Sequence, residues 1–175
     1  MIFRETNLAG VFDIHLDPKC DERGFFARTW CQQEFESNHL ASRLAQCSVS
    51  FNSRKGTLRG MHYQADPYAE TKLVRCTRGA IYDVALDLRR DSPTFRQWVA
   101  RELNAANRHM LYIPEGCAHG FLTLEHDTEV FYQISEFFEP GSARGVRWND
   151  PAFGIAWPGE AAIMSERDRT YPDFN

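Results

Sequence analysis

The chain has 175 residues, with 20 Lys and Arg against 24 Asp and Glu, giving a formal net charge of −4. That length predicts one domain over residues 1–175, and 43% apolar with 25% charged residues excludes a mainly disordered chain. No apolar run approaches the ~18 residues of a membrane span, and the mildly acidic balance argues against bulk binding to nucleic acid or an anionic membrane, while leaving room for a local basic pocket for a small phosphorylated ligand.

The first segment, MIFRETNLAGVFDIHL, carries acidic residues and lacks a basic stretch followed by an apolar core, so no secretory signal is expected and the protein is placed in the cytoplasm. Short segments rich in Val, Ile, Phe, Tyr and Thr predict strands at 11–16, 25–30, 46–52, 58–63, 72–77, 80–88, 97–103, 109–113, 119–125, 129–138 and 145–148. Turn signals such as Asp17-Pro18, Glu22-Arg23-Gly24, Asp91-Ser92-Pro93 and Glu139-Pro140-Gly141 punctuate them. Between the second and third strands, 32–44 is the best helix candidate, with Phe35, Leu40 and Leu44 sharing a face. The clearest pattern is Lys72 to Leu88, where period-2 alternation on both sides of Arg78-Gly79 predicts a hairpin. A short helix is expected within 164–171. The sum is a mostly β domain, closed or double-sheeted, with peripheral helices. Five cysteines, Cys20, Cys31, Cys47, Cys76 and Cys117, form no C-x-x-C pair and are odd in number, which favours free thiols in a reducing compartment.

Pro114-Glu115-Gly116-Cys117-Ala118-His119 has the form P-x-G-x-x-H and resembles the second signature of the cupin superfamily of small β-barrels. Metal-binding cupins carry H-x-H in the first motif; here Arg59-Gly60-Met61-His62-Tyr63-Gln64 supplies a single histidine. A metal needs three or four converging ligands, so a metal-free site is expected. Arg59, His62 and Lys72 lie on adjacent predicted strands. Arg59 and His62 are an odd number of positions apart, so strict alternation puts them on opposite faces unless Gly60 marks a bulge.

Taken together, Asp21-Glu22-Arg23-Gly24-Phe25-Phe26, LRGMHYQ at 58–64, KLVRCTRGAIYDVALDLR at 72–89, SPTF at 92–95, IPEGCAHGF at 113–121, Glu129-Val130-Phe131-Tyr132, WNDP at 148–151 and Ser165-Glu166-Arg167-Asp168 resemble, in order and over nearly the whole chain, the dTDP-4-dehydrorhamnose 3,5-epimerases and related nucleotide-sugar epimerases. The resemblance implies a jelly-roll cupin fold, no cofactor, no metal, a nucleotide-diphosphate sugar substrate and a homodimer. It also implies epimerisation beside a ketone, which acidifies the neighbouring C–H bonds by delocalising the carbanion into an enolate. Such a reaction needs a base on one face, an acid on the other and a cation at the oxygen. By this resemblance His62 is the base, Asp168 the carboxylate behind it, Tyr132 the acid and Lys72 the cation, while His119 and Asp83 form a second pair. Arg59, Arg23 and Arg167 hold the phosphates or lie near them, and Phe26 stacks on the nucleoside. Gln46 approaches the nucleoside, and Phe138 takes a stacking position. Arg23 and Phe26 belong to a segment that reaches into the partner subunit's site.

Three features depart from the family pattern. Arg28 stands where many members have Glu, Phe137-Phe138 replaces a Tyr-Tyr pair, and Gln46-Cys47-Ser48 replaces Gln-x-Asn. All three lie on the substrate-binding side, so a single-carbon epimerase or a ketoisomerase stays open beside the 3,5-epimerase, as do, more distantly, a non-catalytic sugar-nucleotide binder and a metal-dependent cupin. His15, His39, His109 and His126, and Met61, Met110 and Met164, read as packing or surface residues.

Overall fold

A computed structural model describes residues 1–174. In chain order the elements are β1 (Ile2–Glu5), β2 (Phe12–His15), β3 (Lys19–Asp21), β4 (Gly24–Phe26), α1 (Gln32–Ser37), β5 (Gln46–Asn52), β6 (Leu58–Gln64), β7 (Lys72–Arg78), β8 (Ala80–Asp87), β9 (Trp98–Asn104), β10 (Met110–Ile113), β11 (Cys117–Thr123), β12 (Thr128–Ile134), β13 (Ala143–Gly145) and α2 (Glu166–Arg169). One antiparallel sheet runs β1-β2-β10-β7-β12-β5, the other β13-β6-β11-β8-β9, and β3-β4 stand apart as a two-stranded ribbon. The two large sheets face each other as the expected cupin-like jelly roll.

The alternation of the strands decides what lies between the sheets. Val74 and Cys76 of β7, Ile81 and Ala85 of β8, Leu111 and Ile113 of β10, and Phe121 of β11 meet in one buried cluster. Each such side chain contributes about 1.5–3 kcal/mol on burial. The opposite face of the six-stranded sheet packs Ile14, Leu73, Met110 and Tyr112 under Phe35 of α1. The outer face of the five-stranded sheet, with Val84 and Leu86, is covered by Val146, Phe153, Trp157 and Phe174.

Two expectations are corrected here. Lys72 to Leu88 is not a hairpin, because β7 pairs with β10 and β12 while β8 pairs with β9 and β11. The tight turn at Gly79 (φ +73°) carries the chain from one sheet to the other. Period 2 reports which face is buried, and here both strands bury a face in the same interior, from opposite sides. The helix expected over 32–44 stops at Ser37. His39 adopts φ +58°, and Leu40 N–H and His39 N–H turn back to the carbonyls of Phe35 and Glu36, which closes the helix with a Schellman turn. Leu40 still packs beside Phe35. The segment expected at 25–30 is shorter, pairs with β3 and is exposed, and β1 was not anticipated.

The bulge at Gly60 is present. His119 pairs with His62 but Phe121 pairs with Arg59, so three steps of β6 span two of β11. Gly60 has φ +142°, and a Cβ there would lie 2.5 Å from Gly120 Cα. Gly60→Ala is therefore expected to lower stability by about 2–4 kcal/mol, read as a fall in the urea midpoint.

Asp87, at the end of β8, is fully buried. Its carboxylate accepts hydrogen bonds from Arg89 Nε at 2.9 Å, Arg89 Nη2 at 2.8 Å, Thr94 Oγ1 at 2.7 Å and Ser92. Burial alone would raise its pKa, but these donors together bring it down to about 2. A carboxylate that ionises more readily folded than unfolded stabilises the fold above its unfolded pKa and loses that contribution as pH falls through its folded one. Stability is expected to drop by on the order of 2 kcal/mol between about pH 4.5 and pH 2 through this group. Asp87→Asn should flatten that part of a stability-versus-pH curve.

Candidate active site

At the β5–β12 side of the sandwich the interior opens into a cavity of about 640 Å³. Its wall takes Arg59 and His62 from β6, Lys72 from β7, His119 from β11, Tyr132 from β12, and Arg167 and Asp168 from α2. The β6 bulge lets both Arg59 and His62 face this space. Three permanent cations and two imidazoles gather there although the chain is net acidic, as an anionic ligand requires.

His62 Nε2 lies 2.6 Å from Asp168 Oδ1. The second carboxylate oxygen accepts the Gly60 N–H at 3.2 Å. Asp168 is held by the short helix α2, whose N-cap Ser165 Oγ accepts the Asp168 N–H at 3.1 Å. Burial pushes the Asp168 pKa up, but the hydrogen bond and charge of His62 and the Gly60 amide outweigh it and hold the group below the usual carboxylate range. The carboxylate thus stays charged behind the imidazole, where it fixes the ring and stabilises it once protonated.

A second pair lies deeper. His119, directly opposite His62 on the neighbouring strand, places Nε2 2.7 Å from Asp83 Oδ1. Both residues are buried, which explains how an aspartate tolerates an otherwise apolar strand. Tyr132 stands on the facing sheet, its ring edge-on to His119 at 5.8 Å. Burial, reinforced by the negative charge of Asp83 and opposed by Arg59, raises the Tyr132 phenol pKa, so the hydroxyl keeps its proton and can give it. Lys72 Nζ donates to the His62 carbonyl at 3.1 Å and pairs with Glu70 at 2.9 Å. Arg59 Nε donates to Asn52 Oδ1 at 2.8 Å.

Four expected site residues stay outside the cavity of their own chain. Arg23, on the β3–β4 ribbon, pairs with Asp21, and Phe26 is 74% exposed. Gln46 Oε1 accepts the Phe138 N–H at 3.3 Å, and the Phe138 ring is exposed. Arg28 pairs with Glu34 at 3.6 Å. Met164, read as packing, instead lines the cavity. Ser48, singled out as a departure on the substrate-binding side, does line the cavity, whereas Glu70, Asn52 and Ser50 were missed. Glu70 alone carried a signal, an acid two positions before the lysine it pairs with; the others are ordinary strand residues whose place depends on pairing. Among the described residues, no third metal ligand converges with His62 and His119 in this cavity, and each imidazole is engaged by its own carboxylate.

The family model for dTDP-4-dehydrorhamnose 3,5-epimerase matches residues 5–175. The chain belongs to the dTDP-4-dehydrorhamnose 3,5-epimerase family. A dTDP-4-dehydrorhamnose 3,5-epimerase of Sinorhizobium fredii is 40% identical over 175 residues, covering 99% of this chain and 90% of its own. The crystal structure of a family member from Bacillus anthracis with TDP and pyrophosphate bound superposes with a TM-score of 0.94 at 39% identity, over 99% of both chains. That of a Legionella pneumophila epimerase in complex with dTDP-4-keto-L-rhamnose gives 0.88 at 35% identity, over 95% of this chain and 89% of that one.

Proposed function

We propose that this enzyme inverts C3 and C5 of dTDP-4-dehydro-6-deoxy-D-glucose to give dTDP-4-dehydro-L-rhamnose. The observation that carries the reading is His62 on one sheet, backed by Asp168 of α2, with Tyr132 on the other sheet, all lining one cavity. A hexose lying between the sheets offers one face to the imidazole and the other to the phenol. His62 removes the proton next to the C4 ketone, and the imidazolium is stabilised by Asp168. Lys72 stabilises the enolate oxygen electrostatically. Tyr132 returns a proton to the opposite face, which inverts the carbon. The His119–Asp83 pair sits against the sugar, and Arg59 and Arg167 take the diphosphate, for which guanidinium forks are suited.

The functional unit in this reading is a homodimer of one-domain subunits in the cytoplasm. Support comes from the exposed ribbon with Arg23 and Phe26, and from edge strand β5, which leaves Val49 and Phe51 at least half exposed. Unpaired apolar edges of this kind are normally covered. Across the dimer, Arg23 and Phe26 reach the partner's nucleotide, with Gln46 and Phe138 closing the entrance. No described helix is long and apolar enough to cross a membrane.

The test is NMR of the substrate in D₂O with purified enzyme. Deuterium at both C3 and C5 with inversion is expected. Label at only one carbon would make the protein a single-carbon epimerase, and label at neither, in folded dimer, would overturn the reading.

A further inference from the structure

At the rim of the sandwich away from the catalytic cavity, three ligand-type side chains converge that the epimerase chemistry does not use. Asp13 and His15 are two apart on β2 and so share a face. His109 directly precedes β10, whose Met110 pairs with Ile14, so antiparallel register brings His109 opposite His15. One ligand atom from each residue lies within 4.8 Å of the other two. The His15 and His109 rings stack with centroids 3.6 Å apart.

Two details distinguish this group from an ordinary surface ion pair. His15 Nε2 and Asp13 Oδ1 face each other at 3.1 Å, yet both atoms are out of reach of solvent and neither has a hydrogen-bond partner among the described residues. The His15 and Asp13 side chains are only 16% and 13% exposed. Buried polar atoms without partners are costly. The second carboxylate oxygen of Asp13 is already oriented, by Arg101 Nε of β9 at 3.2 Å from the facing sheet, so that Oδ1 is turned toward His15 Nε2. Ligands about 2.0–2.1 Å from a zinc ion sit roughly 3–3.4 Å from each other, close to the spacing of the orphaned pair.

We propose that Asp13, His15 and His109 form a binding site for a divalent transition-metal ion of borderline softness, such as Zn²⁺. Two neutral imidazoles and one carboxylate are a donor set for that class and a poor one for Mg²⁺ or Ca²⁺. Small ring rotations converge the three donors, and the adjoining hollow, also lined by Cys20 and Asn107, leaves room for water to complete the coordination. The ion ties β2 to the start of β10 and has no part in proton transfer.

The experiment is calorimetric titration of EDTA-treated, dialysed enzyme with ZnCl₂, beside His15→Ala, His109→Gln and His62→Ala. One equivalent is expected for wild type and for His62→Ala, with affinity at least about tenfold weaker in the other two, whose epimerase activity is unchanged. Melting temperature should rise with zinc in wild type and in His62→Ala but not in His15→Ala or His109→Gln, because an ion that binds the native state stabilises it. A readout independent of folding in the variants is diethyl pyrocarbonate labelling of wild type, in which zinc should protect His15 and His109. No zinc uptake, equal uptake by His15→Ala, loss of uptake in His62→Ala, or unprotected labelling of His15 and His109 would each overturn the proposal.

Discussion

His62→Ala is expected to abolish deuterium exchange at both C3 and C5 and to cut turnover by at least about 10³-fold, at the upper end of what one positioned base supplies. The imidazole is aimed by Asp168 at 2.6 Å, and among the cavity residues no other free base is placed to replace it. His119 is committed to Asp83, and Lys72 to Glu70 and the His62 carbonyl. The backbone that carries His62 is set by Gly60 and by pairing with β11, so the truncation leaves the strand in place. Nucleotide binding, which the proposed reading assigns to Arg59, Arg167 and the ribbon, should change by no more than about threefold. Solvent exchange followed by NMR, together with calorimetric titration with dTDP, separates these effects. Full exchange in His62→Ala would show that the base is a different group.

Tyr132→Phe should split the reaction at a different point. Deprotonation by His62 remains, so deuterium still enters from the base's own face. Net inversion should fall by about 10²–10³-fold, the usual contribution of a positioned acid. The phenol is held neutral by burial, and its ring packs against the interior cluster, so phenylalanine keeps the packing while removing only the proton donor. The expected signature is label returned to substrate of unchanged configuration. Unimpaired inversion would assign the acid to a different residue or to water.

The strands β5, β7 and β8 were legible as short segments bounded by turn signals, and β7 and β8 also by their period-2 alternation. Their partners were not. Period 2 in Lys72 to Leu88 identified two strands and their interior faces but implied that they pair, since alternation carries no information about which sheet a strand joins. The bulge was readable as a possibility, because Arg59 and His62 have to share a face and Gly60 sits between them. Helix α1 was overextended because Leu40 continues the apolar face beyond the His39 turn. His62, Lys72, His119, Tyr132 and Asp168 were found through motif resemblance; in isolation, Asp168 in a charged run looks like surface. Asn52 and Glu70 act through contacts made by strand pairing and by a turn, which local sequence does not encode.

The carboxylate behind His62 comes late in the chain. Every strand is complete by Gly145, whereas Asp168 belongs to the segment that follows. During synthesis, both sheets and the cavity they enclose have all their strands before the residue that orients His62 has been made. On the proposed mechanism, competence for proton transfer therefore arrives after the scaffold, when Ser165 to Arg169 settles against β6. A protease cutting between Gly145 and Asp168 would run this order backwards, silencing the enzyme while every strand pairing is still covalently available.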